Sequence, residues 1–370
     1  MKPVKVLHLA PPGFGGIDAY IFSHYKYMDQ SKFQFSFLTQ NRGLAGAEQY
    51  QSFRYNVCHL PATAAADRAG FIQYVTEVLR GGYDVFHIHT SYWTGFLLEE
   101  LAQKAGIKKV IVHSHSTFID EPDGQKREFL LRQHEKVKRT FLPELATNFW
   151  ACSQPAADWL FGPQIPQNKI RIMKNAIEVE RFQFNSAVRE RIRAELGFDD
   201  KTLVLGTAGR LSFEKNHAFL VDAFTEFHRL YPHSKLLIIG DGKLRSNLER
   251  QIRDNHLERD TLLPGWKTNV EEYLQAMDIF LLPSRFEGLG IAAVEAAASG
   301  LPCIVSDQVP SEVSFSDNIR HMPLEISVWN DALNQMAQMS VDRRQGIDAV
   351  RAAGYDVRQQ AKQLEVLYEA

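Results

Sequence analysis

Two segments in the second half of the chain carry side chains suited to a phosphorylated ligand. In Gly209-Arg210-Leu211-Ser212-Phe213-Glu214-Lys215-Asn216 an arginine fork and a lysine point charge follow an apolar run and precede a helical one. That placement suits a diphosphate; the plainer account is a pair of solvated cations beside Glu214. In Pro283-Ser284-Arg285-Phe286-Glu287-Gly288-Leu289-Gly290-Ile291-Ala292-Ala293-Val294-Glu295 a strand-like run ends just upstream at Leu282, and an Ala-rich helix is expected from about Gly290. The amides of Gly288, Leu289 and Gly290 then become helix-start donors for phosphate oxygens. Glu287 sits in the loop. Glu295 falls inside the helix on a face otherwise lined with Ala, where a carboxylate can accept from two adjacent ribose hydroxyls. A helix cap at Glu287 and a salt bridge at Glu295 are the ordinary alternative, which leaves unexplained why a helix of small residues keeps one acid.

The first half offers two further groups. Pro12-Gly13-Phe14-Gly15-Gly16 lies between an apolar run and a helical one, so Gly15 and Gly16 allow close backbone approach to an anion at a helix start. A tight turn without ligand explains the glycines equally well. As a dinucleotide fingerprint the loop is poor, because the third glycine is misplaced and the second strand is followed by Gln40-Asn41-Arg42 instead of an acid. His87 and His89 end one strand-like run, and His113 and His115 end another, at the strand termini where α/β proteins bind ligands. A zinc pair lacks a third ligand at suitable spacing. Hydrogen bonding to sugar or phosphate is favoured, with a packing histidine as the plain alternative. The chain holds no Asp-x-Asp pair for a metal-bound nucleotide sugar, no Gly-x-Ser-x-Gly elbow and no Gly-x-x-x-x-Gly-Lys-Ser/Thr loop.

These residues need rigid elements behind them. Strand-length runs at Val4–Ala10, Phe33–Thr39, Val57–Leu60, Asp84–His89, Lys109–His113, Thr147–Ala151 and Lys169–Met173 alternate with amphipathic stretches at Ile17–Asp29, Phe71–Arg80, Thr94–Gly106 and Gln125–Leu145. The pattern restarts with Leu203–Ala208, Lys235–Ile239, Thr261–Leu263, Ile279–Leu282 and Cys303–Ser306, separated by helical stretches. Alternation of this kind predicts parallel sheets with helices on both faces. The expected architecture is α/β, with two doubly wound Rossmann-like domains facing a cleft: residues 1–180, residues 181–352, and a last helix (353–370) crossing back to the first.

Composition agrees. With 370 residues, 45% hydrophobic and 23% charged, the chain is an ordinary globular protein long enough for two cores. A net charge of −2 shows no basic field for nucleic acid. Cys58, Cys152 and Cys303 are odd in number and far apart, read as reduced thiols of a cytoplasmic protein. No apolar run reaches a membrane span, and the N-terminal run is too short for a signal peptide. Gln125–Arg139 is locally basic, with Lys126, Arg127, Arg132, Lys136, Lys138 and Arg139. It is read as a solvated face or, with Phe129, Leu130, Val137 and Phe141 as an apolar side, as a peripheral contact with an anionic membrane leaflet.

The segments together resemble one family. Gly15-Gly16, Val112-His113-Ser114-His115, Ala151-Cys152-Ser153, Trp159-Leu160-Phe161-Gly162 and Lys174-Asn175-Ala176-Ile177 match in order and context. So do Gly209-Arg210-Leu211 with Lys215-Asn216, Gly240-Asp241-Gly242, the pair Glu287 and Glu295, and Leu301-Pro302-Cys303-Ile304-Val305-Ser306-Asp307. This is the pattern of the family 4 glycosyltransferases, retaining enzymes of the GT-B fold, and of their bacterial capsule, exopolysaccharide and O-antigen branch. Asn175-Ala176 departs from a common Asn-Gly, and Leu289-Gly290 from a loop often ending in a larger residue.

The resemblance implies roles. Arg210 and Lys215 would neutralise the donor diphosphate and the leaving nucleotide. Glu295 would hold the ribose. Glu287, with Gly288, Leu289 and Gly290, would face donor sugar and diphosphate, and His115 would bond a sugar hydroxyl. Gly15 and Gly16 would approach the phosphates, while Gly265, Trp266 and Lys267 would receive the base. The implied donor is a UDP-sugar, favoured over GDP because no acid sits beside Trp266-Lys267. The implied acceptor is a glycan, lipid-linked in this branch, and no metal cofactor is expected. The localisation expected is cytoplasmic, with peripheral contact at the inner membrane. Other uses of the fold are a nucleotide-sugar 2-epimerase and a non-catalytic glycan- or nucleotide-binding protein. A dehydrogenase is disfavoured by the missing acid.

Overall fold

The computed structural model of the protein describes residues 2–10, 16–122 and 124–370. The chain divides into two compact units: residues 1–119, 123–176 and 357–370 form one, residues 120–122 and 177–356 the other.

The first unit contains β1 (Val4–Leu9), α1 (Gly16–Tyr27), β2 (Phe33–Thr39), β3 (Tyr55–His59), α2 (Arg68–Leu79), β4 (Val85–Thr90), α3 (Leu97–Lys104), β5 (Lys109–Ser114), α4 (Gln125–Thr140), β6 (Asn148–Ala151), α5 (Gln154–Leu160) and β7 (Ile170–Ile172). Its seven strands are all parallel, in the order β3-β2-β1-β4-β5-β6-β7. The second unit contains α6 (Ser186–Glu195), β8 (Leu203–Ala208), α7 (His217–Leu230), β9 (Ser234–Ile239), α8 (Arg245–Asp254), β10 (Thr261–Gly265), α9 (Val270–Ala276), β11 (Ile279–Leu282), α10 (Ile291–Ala298), β12 (Cys303–Ser306), β13 (Ile319–Met322), α11 (Ile326–Met336) and α12 (Gly346–Ala352). Its six parallel strands run β10-β9-β8-β11-β12-β13. Each sheet therefore reverses its winding once, between β1 and β4 and between β8 and β11. In doubly wound sheets ligands bind beyond the strand C-termini at that reversal.

Central strands such as Phe-Gln-Phe-Ser-Phe-Leu-Thr and Ile-Phe-Leu-Leu are buried along nearly their whole length, as sheets covered on both faces require. Helix starts are set locally: Asp67 accepts from the Gly70 amide, Ser153 from Ala156, and Asn185 from Val188. A last helix, α13 (Val357–Glu369), belongs to the first unit and packs on α1. Its Tyr368 is buried, with Ala361 and Leu364 in the same core as Phe33 and Phe35.

The structure amends three local readings. The helix expected over Gln125–Leu145 stops at Thr140, where the chain becomes extended at Phe141 ahead of Pro143. Phe141, expected on an apolar face of that helix, is buried and stacks on Trp93 at 4.7 Å between centroids. It is core, and it offers nothing to a membrane. The structure adds the edge strand β13 and the helices α5, α11 and α12 to the elements that the sequence pattern predicts. β13 reads Ile-Arg-His-Met, two polar residues between two apolar ones, with only its first residue buried, so neither an apolar run nor an alternation marks it.

Candidate functional site

In the second unit the loops leaving β8 and β11 meet at the sheet reversal. Lys215 Nζ donates to Glu287 Oε1 at 2.6 Å, and Ser284 Oγ donates to the same oxygen at 2.7 Å. The loops are joined by main chain as well: the Arg285 amide donates to the Glu214 carbonyl at 2.7 Å, and Arg285 Nη2 donates to Asn216 Oδ1 at 2.8 Å. Asn216 can occupy the left-handed region (φ 54) before α7 because its short polar side chain is held this way. Lys215 lies over Gly209, where a Cβ would come within 3.5 Å of its side chain.

Arg210 sits on a backbone shaped by a neighbour. Gly240, at φ +142, approaches so closely that a Cβ there would lie 1.9 Å from the Gly209 carbonyl oxygen. The Leu211 amide donates to the Asp241 carbonyl at 2.9 Å, and the Gly209 amide to Ile239 at 2.9 Å. Gly240-Asp241-Gly242 is thus the mould for Gly209-Arg210-Leu211. The Arg210 side chain itself is 59% exposed.

Glu295 lies four residues after Ile291 on the partly open side of α10, while Ala292, Ala293, Ala296, Ala297 and Ala298 are buried. The small residues let the helix lie against the sheet, and the acid faces away from them. Burial pushes the Glu295 carboxyl up to about 7, against the pull of Arg181 and Lys215 and with the help of Glu271. Arg181 in turn donates to Glu271 at 2.9 Å. Gly288 and Leu289 precede Gly290, which caps α10 in the left-handed region (φ +91). The Leu289 side chain is buried, so it can meet a ligand only through its main chain. Gly265 ends β10 and its carbonyl accepts from the Gly240 amide at 3.0 Å. Trp266 is 67% exposed, and the Lys267 ammonium lies 5.5 Å from the Tyr273 ring centre.

In the first unit Gly15 lies outside the described residues. Gly16 opens α1, with nothing among the described residues within 4 Å of a Cβ placed on it. His115 follows β5 and is one member of a histidine lattice that extends the four strand-end histidines expected from the sequence by His8 of β1. Strand pairing sets His8 of β1 beside His87 of β4, and His89 of β4 beside His113 of β5. Because side chains alternate along a strand, all these rings share one sheet face. Two chains of ring-to-ring hydrogen bonds result. One runs from His8 Nδ1 to His89 Nε2 at 3.0 Å and from His89 Nδ1 to His115 Nε2 at 2.9 Å. The other runs from His113 Nδ1 to His87 Nε2 at 3.1 Å and from His87 Nδ1 to the Tyr368 hydroxyl of α13 at 2.7 Å. Burial holds the imidazoles neutral: His8 and His115 are pushed down to about 3, and His87, His89 and His113 well below their ordinary value.

Metal-competent sets among the described residues are His8, His87 and His89, and His89, His113 and His115, their ring nitrogens within 4.8 Å of one another. In both sets ring nitrogens already face each other in hydrogen bonds. A cavity of about 730 Å³ lies in the same unit, lined by Gln40, Phe71, His89, Trp93 and Glu99 among others. Burial pushes the Glu99 carboxyl up to about 8, so it is a hydroxyl-type donor at neutral pH. Neither Glu99 nor Ser284 had a sequence signal. His8 had one, the recurrence of histidine at matching strand positions, which becomes visible only once β1 and β4 are known to be neighbours.

Two parallel α/β units, each with polar loops at its sheet reversal, define a two-domain nucleotide-binding architecture. Residues 14–181 match the family described as Glycosyltransferase Family 4, and residues 188–320 match Glycosyl transferases group 1. A protein of Bacillus subtilis (strain 168) named glycosyltransferase EpsF is 30% identical over 373 residues, spanning 98% of this chain and 96% of its own. The Escherichia coli UDP-Gal:alpha-D-GlcNAc-diphosphoundecaprenol alpha-1,3-galactosyltransferase is 27% identical over 70% of this chain and 67% of its own. Among solved structures, Anabaena HepE in complex with UDP-glucose superposes with a TM-score of 0.77 at 18% identity, covering 99% of this chain and 100% of that one. The chain belongs to the group 1, family 4 glycosyltransferases of the GT-B fold. It is an enzyme of the hexosyltransferase class.

Proposed function

We propose that this enzyme transfers a hexose or N-acetylhexosamine from a UDP-sugar to a hydroxyl of a lipid-linked glycan, with retention at the anomeric carbon and without a metal ion. The observation that carries the donor half is the Lys215–Glu287–Ser284 group at the reversal of the second sheet, with Arg210 on the neighbouring loop and Glu295 on the helix behind. In this reading the anomeric C–O bond breaks and its electron pair leaves on the diphosphate, met by Arg210 and Lys215. The acceptor oxygen forms its bond on the same face, and its proton passes to the departing phosphate oxygen. No carboxylate is assigned as a nucleophile, so fixed electrostatics at the leaving group is the main contribution.

Support for a UDP donor comes from the complexes of HepE with UDP and UDP-glucose. Support for a lipid-linked acceptor comes from the undecaprenol-linked substrates named for the relatives in Escherichia coli and Campylobacter jejuni. The cavity over Glu99 is proposed as the place where acceptor hydroxyls bind. Placement at the cytoplasmic face of a membrane is supported by α4, where Phe129 is 60% exposed beside exposed Lys126, Lys136 and Arg139. Among the described residues no helix is long and apolar enough to cross a membrane.

Calorimetric titration with UDP and with GDP, each with and without EDTA, tests the donor half. Micromolar UDP binding that ignores EDTA and disappears in Arg210→Ala is expected; binding of neither nucleotide overturns it. Incubating UDP-sugar alone tests transfer, because an epimerised sugar formed without acceptor would mark a 2-epimerase instead. Flotation with anionic liposomes that is indifferent to replacing Lys126, Lys136 and Arg139 would remove the membrane contact.

A further inference from the structure

We infer that His89 is a positioning residue that fixes His115 as the tautomer protonated on Nδ1, so that His115 presents an N–H donor. The inference rests on the proposed role of His115 at the donor sugar only for its consequence, since the tautomer itself follows from the lattice.

His8, His89 and His115 form an unbranched chain in which His89 uses both ring nitrogens. A neutral imidazole has one donor and one acceptor. Both bonds can then be made in only two ways. If His89 donates from Nε2, His8 accepts at Nδ1 and must carry its own proton on Nε2. His115 then donates from Nε2 and leaves Nδ1 bare. If His89 donates from Nδ1, every proton shifts the other way: His8 donates from Nδ1 and its Nε2 is bare, while His115 accepts at Nε2 and carries its proton on Nδ1.

The far end of the chain decides between them. His8 is 1% exposed, and its Nε2 has no hydrogen-bond partner among the described residues. Its ring lies among Phe35 at 4.4 Å and Phe37 at 5.5 Å between centroids. A buried N–H left without an acceptor is the rarer and costlier orphan compared with an unused lone pair. The second arrangement is therefore selected, and the choice made at His8 is passed through His89 to a ring on another strand. His115 Nδ1 makes no hydrogen bond among the described residues. At the donor sugar it would give a hydrogen bond to a hydroxyl oxygen, and it would not serve as a base.

The test is nitrogen NMR on histidine-labelled full-length protein, with the tautomer of His115 assigned by comparison with His115→Gln. Wild type should show His115 protonated on Nδ1. His89→Asn, whose amide can donate from about the position of the lost Nδ1, should keep that tautomer. His89→Leu removes the donor and should move the proton to Nε2, the side favoured by a free imidazole. With UDP-sugar and acceptor, His89→Leu should lose about tenfold or more in kcat with little change in donor KM, and His89→Asn should recover most of it. Protonation on Nε2 in wild type, or an identical tautomer in His89→Leu, overturns the inference. So does one equivalent of zinc retained by dialysed wild-type protein and lost in His89→Leu. The ring-nitrogen measurement needs neither donor nor acceptor, so its outcome is separate from the transferase reading, which fails instead if the protein neither binds UDP nor transfers sugar.

Discussion

Lys215 Nζ and Glu287 Oε1 lie 2.6 Å apart, on loops that leave the two strands flanking the reversal of the second sheet. Their side chains are only 18% and 11% exposed, so solvent screens the pair weakly. Removing one partner leaves the other charge partly buried and uncompensated. Lys215→Ala should therefore lower both Tm and turnover, the latter by about 10²–10³ if the ammonium also meets the leaving diphosphate. Arg210 is 59% exposed, so Arg210→Ala separates the two effects: kcat should collapse at an unchanged Tm. Steady-state rates together with thermal unfolding check this, and a near-wild-type kcat in either variant would defeat the assignment.

Glu295 gives a pH signature for nucleotide binding. Its carboxyl is raised to about 7 by burial, so near neutrality a large fraction is protonated in the free protein. A carboxylate that accepts from ribose hydroxyls is favoured in its charged form. UDP binding should then release protons, approaching one per site at pH 6 and falling toward none at pH 8. Calorimetry in buffers of different ionisation enthalpy measures the release. Glu295→Gln should abolish it, and a release that persists in that variant would assign the proton to another group.

The loop cluster proposed to hold the donor is largely legible in the sequence because its parts are local. β8 and β11 are apolar runs ending in a glycine or proline loop, and Lys215 and Glu287 lie within those loops. The partners were not readable. Lys215 meets Glu287 across 72 positions, and Arg181 approaches Glu295 from more than a hundred positions away, and no spacing rule links residues so far apart. Phe141 shows the opposite error: periodicity assigned it to an exposed helix face, whereas Trp93 buries it. His8 went unnoticed because its partner, His89, is 81 positions away. The sequence places Glu295 on a face otherwise lined with Ala; in the fold the Ala residues of α10 pack on the sheet and Glu295 occupies the other side.

Two glycines should respond to alanine in opposite ways. At Gly240 a Cβ would fall 1.9 Å from the Gly209 carbonyl oxygen, at a φ of +142 that side chains avoid. Gly240→Ala must displace the loop carrying Arg210 and should lower both Tm and UDP affinity. At Gly16 a Cβ meets nothing within 4 Å among the described residues, so Gly16→Ala should fold with an unchanged Tm. If the phosphates approach Gly16 as proposed, that variant alone loses affinity without losing stability. Undiminished UDP binding by Gly16→Ala would remove Gly16 from the donor site.

The histidine lattice should make the protein acid-sensitive well above the carboxylate range. His8 and His115 are held neutral down to about 3, with His87, His89 and His113 also well below their ordinary value of 6.5; His24, buried on α1 with its Nδ1 2.7 Å from the Tyr20 carbonyl, is likewise pushed down to about 4. Below 6.5 the unfolded chain takes up protons that the folded one refuses. Stability therefore falls as pH drops from 6.5 toward 4, at up to about 1.4 kcal/mol per pH unit for each such ring. Above 6.5 both states are neutral at these positions and the slope vanishes. Thermal unfolding between pH 4.5 and 8 should show this shape. His8→Phe places an apolar ring among Phe35 and Phe37 and should remove one proton's worth of slope. A slope identical to wild type in His8→Phe would mean that His8 is already charged in the folded protein.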